Sequence, residues 1–416
     1  MRKLVILPAI SLFHCLFCYG AEKTGKKPEP YKFETIIENP VTPVKDQASS
    51  GTCWCFSGIS FIESEILRTT GEEYDLSEMF VVSNAYYDKA LKYVRLHGNL
   101  SFGPGSCFND VLYVLKNYGI VPENEMTGLN YGTTMHFHSE MDEILKAIVS
   151  VIVKNPNQKI TPAWKRGFRA MTAAYLGEIP TSFIANGKEY TPKKYMESLG
   201  IDLDNYVDLS SWTYSPFYET IAYEVPDNWR GINTMNVPID DIITIIDNAL
   251  ENGYTVAWAS DVSEDGFTST GIGVVPDMEK IINGSDYTRW IKDNNTEETL
   301  PIFSITPCPE LKITQEMRQD AFDDYSTTDD HGMHIYGKAK DQNGTEYYIV
   351  KNSWGKAGSY NGIWYVSKEY VRYKTTNIVV NRNAIPIEIR EKFNYNNNTV
   401  NSVTVQFPRL DAPSRI

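Results

Sequence analysis

Gln47-Ala48-Ser49-Ser50-Gly51-Thr52-Cys53-Trp54-Cys55-Phe56 decides how the rest of this 416-residue chain is read. It sets a thiol at the head of an apolar-periodic segment, in which Phe56, Ile59, Ile62 and Ile66 recur at helical spacing and Gly71 offers a C-cap. Cys53 therefore belongs at or near a helix N-terminus. Unpaired N–H groups and the macrodipole favour negative charge there, so the thiol is expected to ionise more readily. Gln47 stands upstream with a side-chain amide able to donate a hydrogen bond to an oxyanion. The competing reading is a buried structural cysteine in an ordinary helix. Residues far along the chain argue against it.

His331-Gly332-Met333-His334-Ile335-Tyr336-Gly337 reads as one strand and Glu346-Tyr347-Tyr348-Ile349-Val350-Lys351-Asn352 as a second, followed by Ser353-Trp354-Gly355. Between them Asp341-Gln342-Asn343-Gly344 carries an Asn-Gly hairpin signal. Pairing through a two- or four-residue loop puts His331 and Asn352 on one face, offset by a few residues that a bulge or side-chain reach must absorb. The product is a constellation of nucleophile (Cys53), base (His331) and ring-orienting amide (Asn352). His334 competes for the role of base, but its odd separation from His331 turns it to the opposite face, as a packed or exposed strand residue. The pair His331 and His334, and His136-Phe137-His138, invite a metal reading. Neither comes with a matching set of Cys, His or Glu at ligand spacing, so no metal and no organic cofactor is expected.

Ser50-Gly51-Thr52-Cys53-Trp54, taken with His331 six residues ahead of Gly337 and with Asn352-Ser353-Trp354-Gly355, resembles the papain-like cysteine peptidases. Serine at position 50, where papain has a cysteine, makes the motif more similar to the bleomycin hydrolase and aminopeptidase C branch. Asp75-Leu76-Ser77-Glu78-Met79-Phe80, Tyr118-Gly119-Ile120-Val121-Pro122, Asn252-Gly253-Tyr254-Thr255-Val256-Ala257-Trp258 and Val379-Val380-Asn381-Arg382 extend the resemblance across the chain. It implies an α+β, two-lobed papain-like fold, with a helical lobe, an antiparallel β lobe and a mainly helical insertion. It also implies peptide substrates, removal of N-terminal residues, a homo-oligomer (a closed hexameric barrel) and a C-terminal arm entering the cleft. In that arrangement Trp354 shields the His331–Asn352 bond, and the Ile416 carboxylate lies near the free amine of the substrate. The family's substrate-binding Gly-Gly pair falls at Pro104-Gly105. Gly105 can still approach a peptide closely, whereas Pro104 lacks a backbone donor. An endopeptidase with an open cleft and a non-catalytic scaffold are the alternatives.

Cys53 precedes His331 by 278 residues and Asn352 by 299. The papain-type spacing is about 130–150 residues, so a segment of similar length must be inserted between the two halves of the site. The organisation expected is a signal peptide over 1–20, a linker over 21–30 and a lobe carrying the nucleophile helix over 31–130. A mainly helical insertion over 131–250, a β lobe with His331 and Asn352 over 251–393 and an arm over 394–416 follow. Within it, Met141 to Val153 and Pro238 to Leu250 read as helices and Tyr254 to Ala259 as a buried strand.

Met1-Arg2-Lys3 is a basic n-region, Leu4 to Phe17 an apolar core, and Cys18-Tyr19-Gly20 places small residues for cleavage before Ala21. An exported enzyme is expected, periplasmic or extracellular. Lipid anchoring through Cys15 or Cys18 is the weaker option, and no later segment is apolar enough to span a bilayer. Cleavage would leave Cys53, Cys55, Cys107 and Cys308, and a free nucleophile then makes a full disulfide framework unexpected. Cys55 reads as core packing. The net charge of −14, or −16 without Arg2 and Lys3, does not suit nucleic-acid binding.

Overall fold

The computed structural model describes residues 29–155, 159–283 and 301–393. The expected signal segment and the C-terminal arm with Ile416 lie outside them. Helices α1 (Cys53–Thr70), α2 (Glu78–Arg95), α3 (Phe108–Tyr118), α4 (Ser139–Val153), α5 (Ala163–Leu176) and α6 (Pro192–Ser198) surround the first core. Gly71 ends α1 at φ +75°, as the sequence predicts. Ser77 starts α2 by accepting from the Phe80 N–H at 3.0 Å. Side chains on every face of α1 are buried from Trp54 to Ile66, because the helix is sandwiched between its own lobe and the sheet.

The sheet contains β1 (Glu34–Glu38), β4 (Tyr206–Ser210), β5 (Thr220–Ala222), β6 (Asn233–Asn236), β7 (Val256–Ser260), β8 (Ile272–Gly273), β9 (His331–Lys340), β10 (Glu346–Lys351), β11 (Ile363–Ser367) and β12 (Thr375–Asn381). Its order is β5-β6-β4-β12-β7-β9-β10-β11-β8, with β1 also on β9. Pairing is antiparallel except for β4–β6 and β8–β11. A separate hairpin joins β2 (Phe183–Ala185) to β3 (Lys188–Tyr190). The second core lies where α7 (Ile239–Glu251) sets Ile242 and Ile246 against Trp258, Ile335 and Ile378 of the sheet. Shorter helices α8 (Met278–Asn283), α9 (Gln315–Asp323), α10 (Lys368–Lys374) and α11 (Ile387–Arg390) complete the described chain.

The α+β class and the two cores agree with the sequence reading, but between α6 and α7 the stretch expected to be mainly helical is largely extended. Strands β4, β5 and β6 occupy it and widen the sheet, with Ile378 paired to Leu209 and Val379 to Asp208. The exposed edge of β12 explains the change: its N–H and C=O groups need partners, and an extended insertion supplies them.

The β9–β10 hairpin also differs from expectation. Asp341 N–H donates to Thr345 C=O at 2.9 Å, leaving the odd loop Gln342-Asn343-Gly344 in which Gly344 takes φ +84°. Ile349 therefore faces Gly337. A bulge at Tyr336 then shifts the register so that Val350 faces Ile335 and Lys351 faces His334. The bulge cancels the odd loop and restores the parity that brings His331 and Asn352 together.

Candidate active site

His331 begins β9 and Asn352 directly follows β10, with His331 Nε2 at 2.8 Å from Asn352 Oδ1. That Asn352 atom must be oxygen, because it also accepts the Ser353 N–H at 2.7 Å. Nε2 consequently carries the imidazole proton, and neutral His331 presents Nδ1 as a bare acceptor. Trp354 stacks on the ring with centroids 4.8 Å apart and planes 28° apart. Phe267 and Trp364 pack edge-on against Trp354 and brace it.

Cys53 is the first residue of α1 and half-buried. Two glycines let neighbouring chain approach it. A Cβ on Gly332 would lie 2.7 Å from Ser57 Oγ, and one on Gly51 would lie 2.4 Å from Pro104 Cγ. Burial pushes the thiol up to about 11, and the carboxylates of Asp329 and Asp227 add to the rise. The backbone N–H groups of Gly332 and Trp54 pull the other way. Burial likewise pushes His331 down to about 4, against its bond to Asn352. The expected easy ionisation of an isolated thiol is thus reversed, because desolvation outweighs the helix N-terminus. Both shifts penalise a charge that stands alone. Proton transfer from thiol to imidazole makes the two charges together, each the other's counter-ion.

Gln47 is buried, and its amide is held at both ends: Ser353 Oγ donates to Oε1 at 2.5 Å, and Nε2 donates to the Ser50 carbonyl at 2.7 Å. A second amide hydrogen stays available for an oxyanion. Cys55 is fully buried with Sγ on the Glu78 carbonyl at 3.3 Å. His334 is fully buried on the other face of β9, where its Nδ1 lies 2.8 Å from Ser60 Oγ, and burial holds it neutral. His331, not His334, is the histidine beside Cys53.

Cys53, His331 and Gly105 line one cleft of about 330 Å³. The loop bearing Gly105 is tied from below. Lys89 Nζ donates to the carbonyls of Gly103 (3.0 Å) and Gly105, and Trp54 Nε1 donates to that of Pro104 (3.0 Å). Gly105 is also where Asp227 arrives, for a Cβ there would fall 1.8 Å from Asp227 Oδ2. Sequence reasoning missed Asp227, Asp329 and Tyr223 in this cleft, and Lys89 beneath its Gly105 loop. Asp329-Asp330, directly ahead of His331, was the one signal available. Among the described residues no group of three or more His, Cys, Asp or Glu could hold a metal ion, and no helix is long and apolar enough to cross a membrane.

Two family models match the chain: the papain family cysteine protease over residues 29–159 and the peptidase C1-like family over residues 268–403. Aminopeptidase C of Listeria monocytogenes is 21% identical over 390 residues, covering 84% of this chain and 82% of the relative. Cysteine proteinase 1, mitochondrial, of Saccharomyces cerevisiae is 20% identical over 421 residues, covering 87% and 79%. The crystal structure of pepw from Lactobacillus rhamnosis superposes with a TM-score of 0.63 at 18% identity, over 89% of this chain and 86% of that one, so the fold is shared. With a thiol and an imidazole in one cleft on this fold, and papain-type models matching both halves, the chain belongs to the papain-like cysteine peptidases and is similar along its length to aminopeptidase C.

Proposed function

We propose that the chain is an aminopeptidase working through Cys53, His331 and Asn352. The observation that carries the reading is the His331–Asn352 bond, which leaves Nδ1 unprotonated in the cleft that holds the thiol. Cys53 passes its proton to His331 and attacks the scissile carbonyl. The Cys53 N–H and Gln47 Nε2 stabilise the oxyanion, and His331 protonates the leaving amine. Water then hydrolyses the thioester with His331 as base. Asn352 keeps the ring in one tautomer and Trp354 keeps water from that bond. Preference for N-terminal residues is supported by the curated relatives called aminopeptidase C and aminopeptidase G.

Product analysis of one peptide with a free and with an acetylated N-terminus tests the reading. Stepwise loss from the free peptide alone supports an aminopeptidase. Internal cleavage of both indicates an endopeptidase, and no cleavage of either indicates a scaffold. Export, a hexameric assembly and an arm that brings Ile416 to the substrate amine belong to the same proposal. N-terminal sequencing of exported protein and light scattering of the purified chain test the first two.

A further inference from the structure

The cleft beside Cys53 is acidic in a way that the hydrolytic steps do not require. Asp227, Asp329 and the more exposed Asp330 all line it, together with Cys53 and His331. The carboxylate of Asp227 rests against Gly105, and Asp329 Oδ1 accepts from Thr376 Oγ1 at 3.1 Å. Burial raises both carboxyls, Asp329 to about 7, Asp227 adds to the rise at Asp329, and the two together disfavour the Cys53 thiolate. Among the described residues neither closes an ion pair. Asp227 feels Lys89, but that ammonium is engaged by the carbonyls of Gly103 and Gly105.

A second observation comes from Tyr223. It is 3% exposed, lines the same cleft, and its hydroxyl makes no hydrogen bond among the described residues. Thr376 Oγ1 lies near enough to act as a weak donor toward it, but that hydroxyl hydrogen is committed to Asp329 Oδ1. Burial keeps the phenol protonated, so its oxygen lone pairs stay free to accept an N–H. Two carboxylates and an uncommitted hydroxyl in one recess lack a hydrogen-bond donor that carries positive charge. Such a group would relieve the repulsion between the carboxylates and satisfy the phenol at once.

We propose that Asp227 and Asp329, with Tyr223, form a receptor in the substrate cleft for an ammonium group of the peptide, either its free α-amine or the ε-ammonium of a lysine side chain. The receptor lies among the described residues and needs no part of residues 394–416. It rests on the reading of Cys53 as the nucleophile of a peptidase. Through it, Asp227 and Asp329 contribute a selectivity for a free N-terminus or for lysine that does not depend on the arm.

The test uses four matched fluorogenic peptides, with a free or acetylated N-terminus and with lysine or norleucine beside the scissile bond. The wild-type enzyme should favour at least one cationic member over its neutral match by about tenfold in kcat/KM. Which member is favoured identifies the ammonium. The preference should collapse in Asp227→Asn and Asp329→Asn, persist in Asp329→Glu, and shrink in about 0.5 M salt. Equal kcat/KM for all four peptides in the wild type, or a preference that survives both Asn variants, overturns the proposal. The wild-type and salt arms stand even if a variant does not fold.

Labelling Cys53 with 2-aminoethyl and 2-sulfonatoethyl methanethiosulfonate reads the cleft without turnover. It is done in a Cys308→Ser background, because Cys308 is half-exposed. Faster labelling by the cationic reagent, lost in the Asn variants, supports the receptor even if no peptide is cut, and the peptidase reading then falls alone. Hydrolysis with no charge bias in either assay removes the receptor and leaves the peptidase.

Discussion

Replacing Asn352 by alanine probes the site where it is most tightly built. The Asn352 oxygen serves two donors, His331 Nε2–H at 2.8 Å and Ser353 N–H at 2.7 Å, and the side chain is 2% exposed. Asn352→Ala leaves both unpaired. The bond to His331 matters most when the ring is imidazolium, and a hydrogen bond to a charged group is worth about 1.5–3 kcal/mol. Loss of that amount from the transition state lowers kcat/KM by roughly ten- to a hundred-fold. The loss should stay short of that in His331→Ala, because Trp354 still stacks on the ring. An orphaned buried N–H at Ser353 should cost about 1–3 kcal/mol of stability in urea unfolding. The Asn352 bond also raises the His331 pKa against burial, so its removal lets the imidazolium deprotonate at lower pH. The acid limb of the kcat/KM profile, where His331 must lose its proton to act as base, should therefore move down. Wild-type kcat/KM across the pH range, with only stability reduced, would refute the orienting role.

His331→Ala should reduce hydrolysis to the residue left by oxyanion and binding effects, whereas His334→Ala should mainly lower the melting temperature; the opposite ranking would make His334 the base. His138 is 1% exposed, and burial together with His136 pushes it from 6.5 down to about 4. The unfolded chain takes up that proton as pH falls below about 6.5 and the folded chain only near 4, so stability is lost across this window, about 3 kcal/mol in all. His138→Phe should remove that acid sensitivity in urea titrations at about pH 8 and pH 4; parallel losses in both proteins would contradict it. Deleting residues 408–416 should raise cleavage of blocked peptides if the arm gates the cleft, and an unchanged product ratio would release the arm from that role.

The features legible in the sequence were those with local signals. Apolar spacing and Gly71 marked α1, and Pro238 with Asn252-Gly253 bounded α7. The hairpin signal and strand parity put His331 with Asn352. What was not legible depends on the chain meeting itself elsewhere. The odd loop and the Tyr336 bulge cancel each other, so neither showed in the parity argument. Strands β4 to β6 exist because the edge of β12 is there to be covered. Asp227 reaches the cleft from the insertion, with no motif around it, to lie against Gly105. The thiol's direction of shift turned on burial, a tertiary quantity that a helix N-terminus does not reveal. His136 and His138 suggested a metal by spacing alone. They pack instead at 5.4 Å from each other, with His136 edge-on to Phe56, and their backbone bonds to Ser49 hold the loop that carries Gln47.

The central claim, that Cys53 is the nucleophile of a peptidase, is tested most directly by an irreversible peptidyl chloromethyl ketone. Hydrolysis is followed alongside the mapped site of the adduct in the wild type, Cys53→Ala and Cys55→Ala. The account predicts one adduct on Cys53, activity falling in step with it, full inactivity of folded Cys53→Ala, and most activity retained in Cys55→Ala. Hydrolysis that persists in Cys53→Ala, or inactivation that tracks an adduct on Cys55 or Cys308, would contradict it.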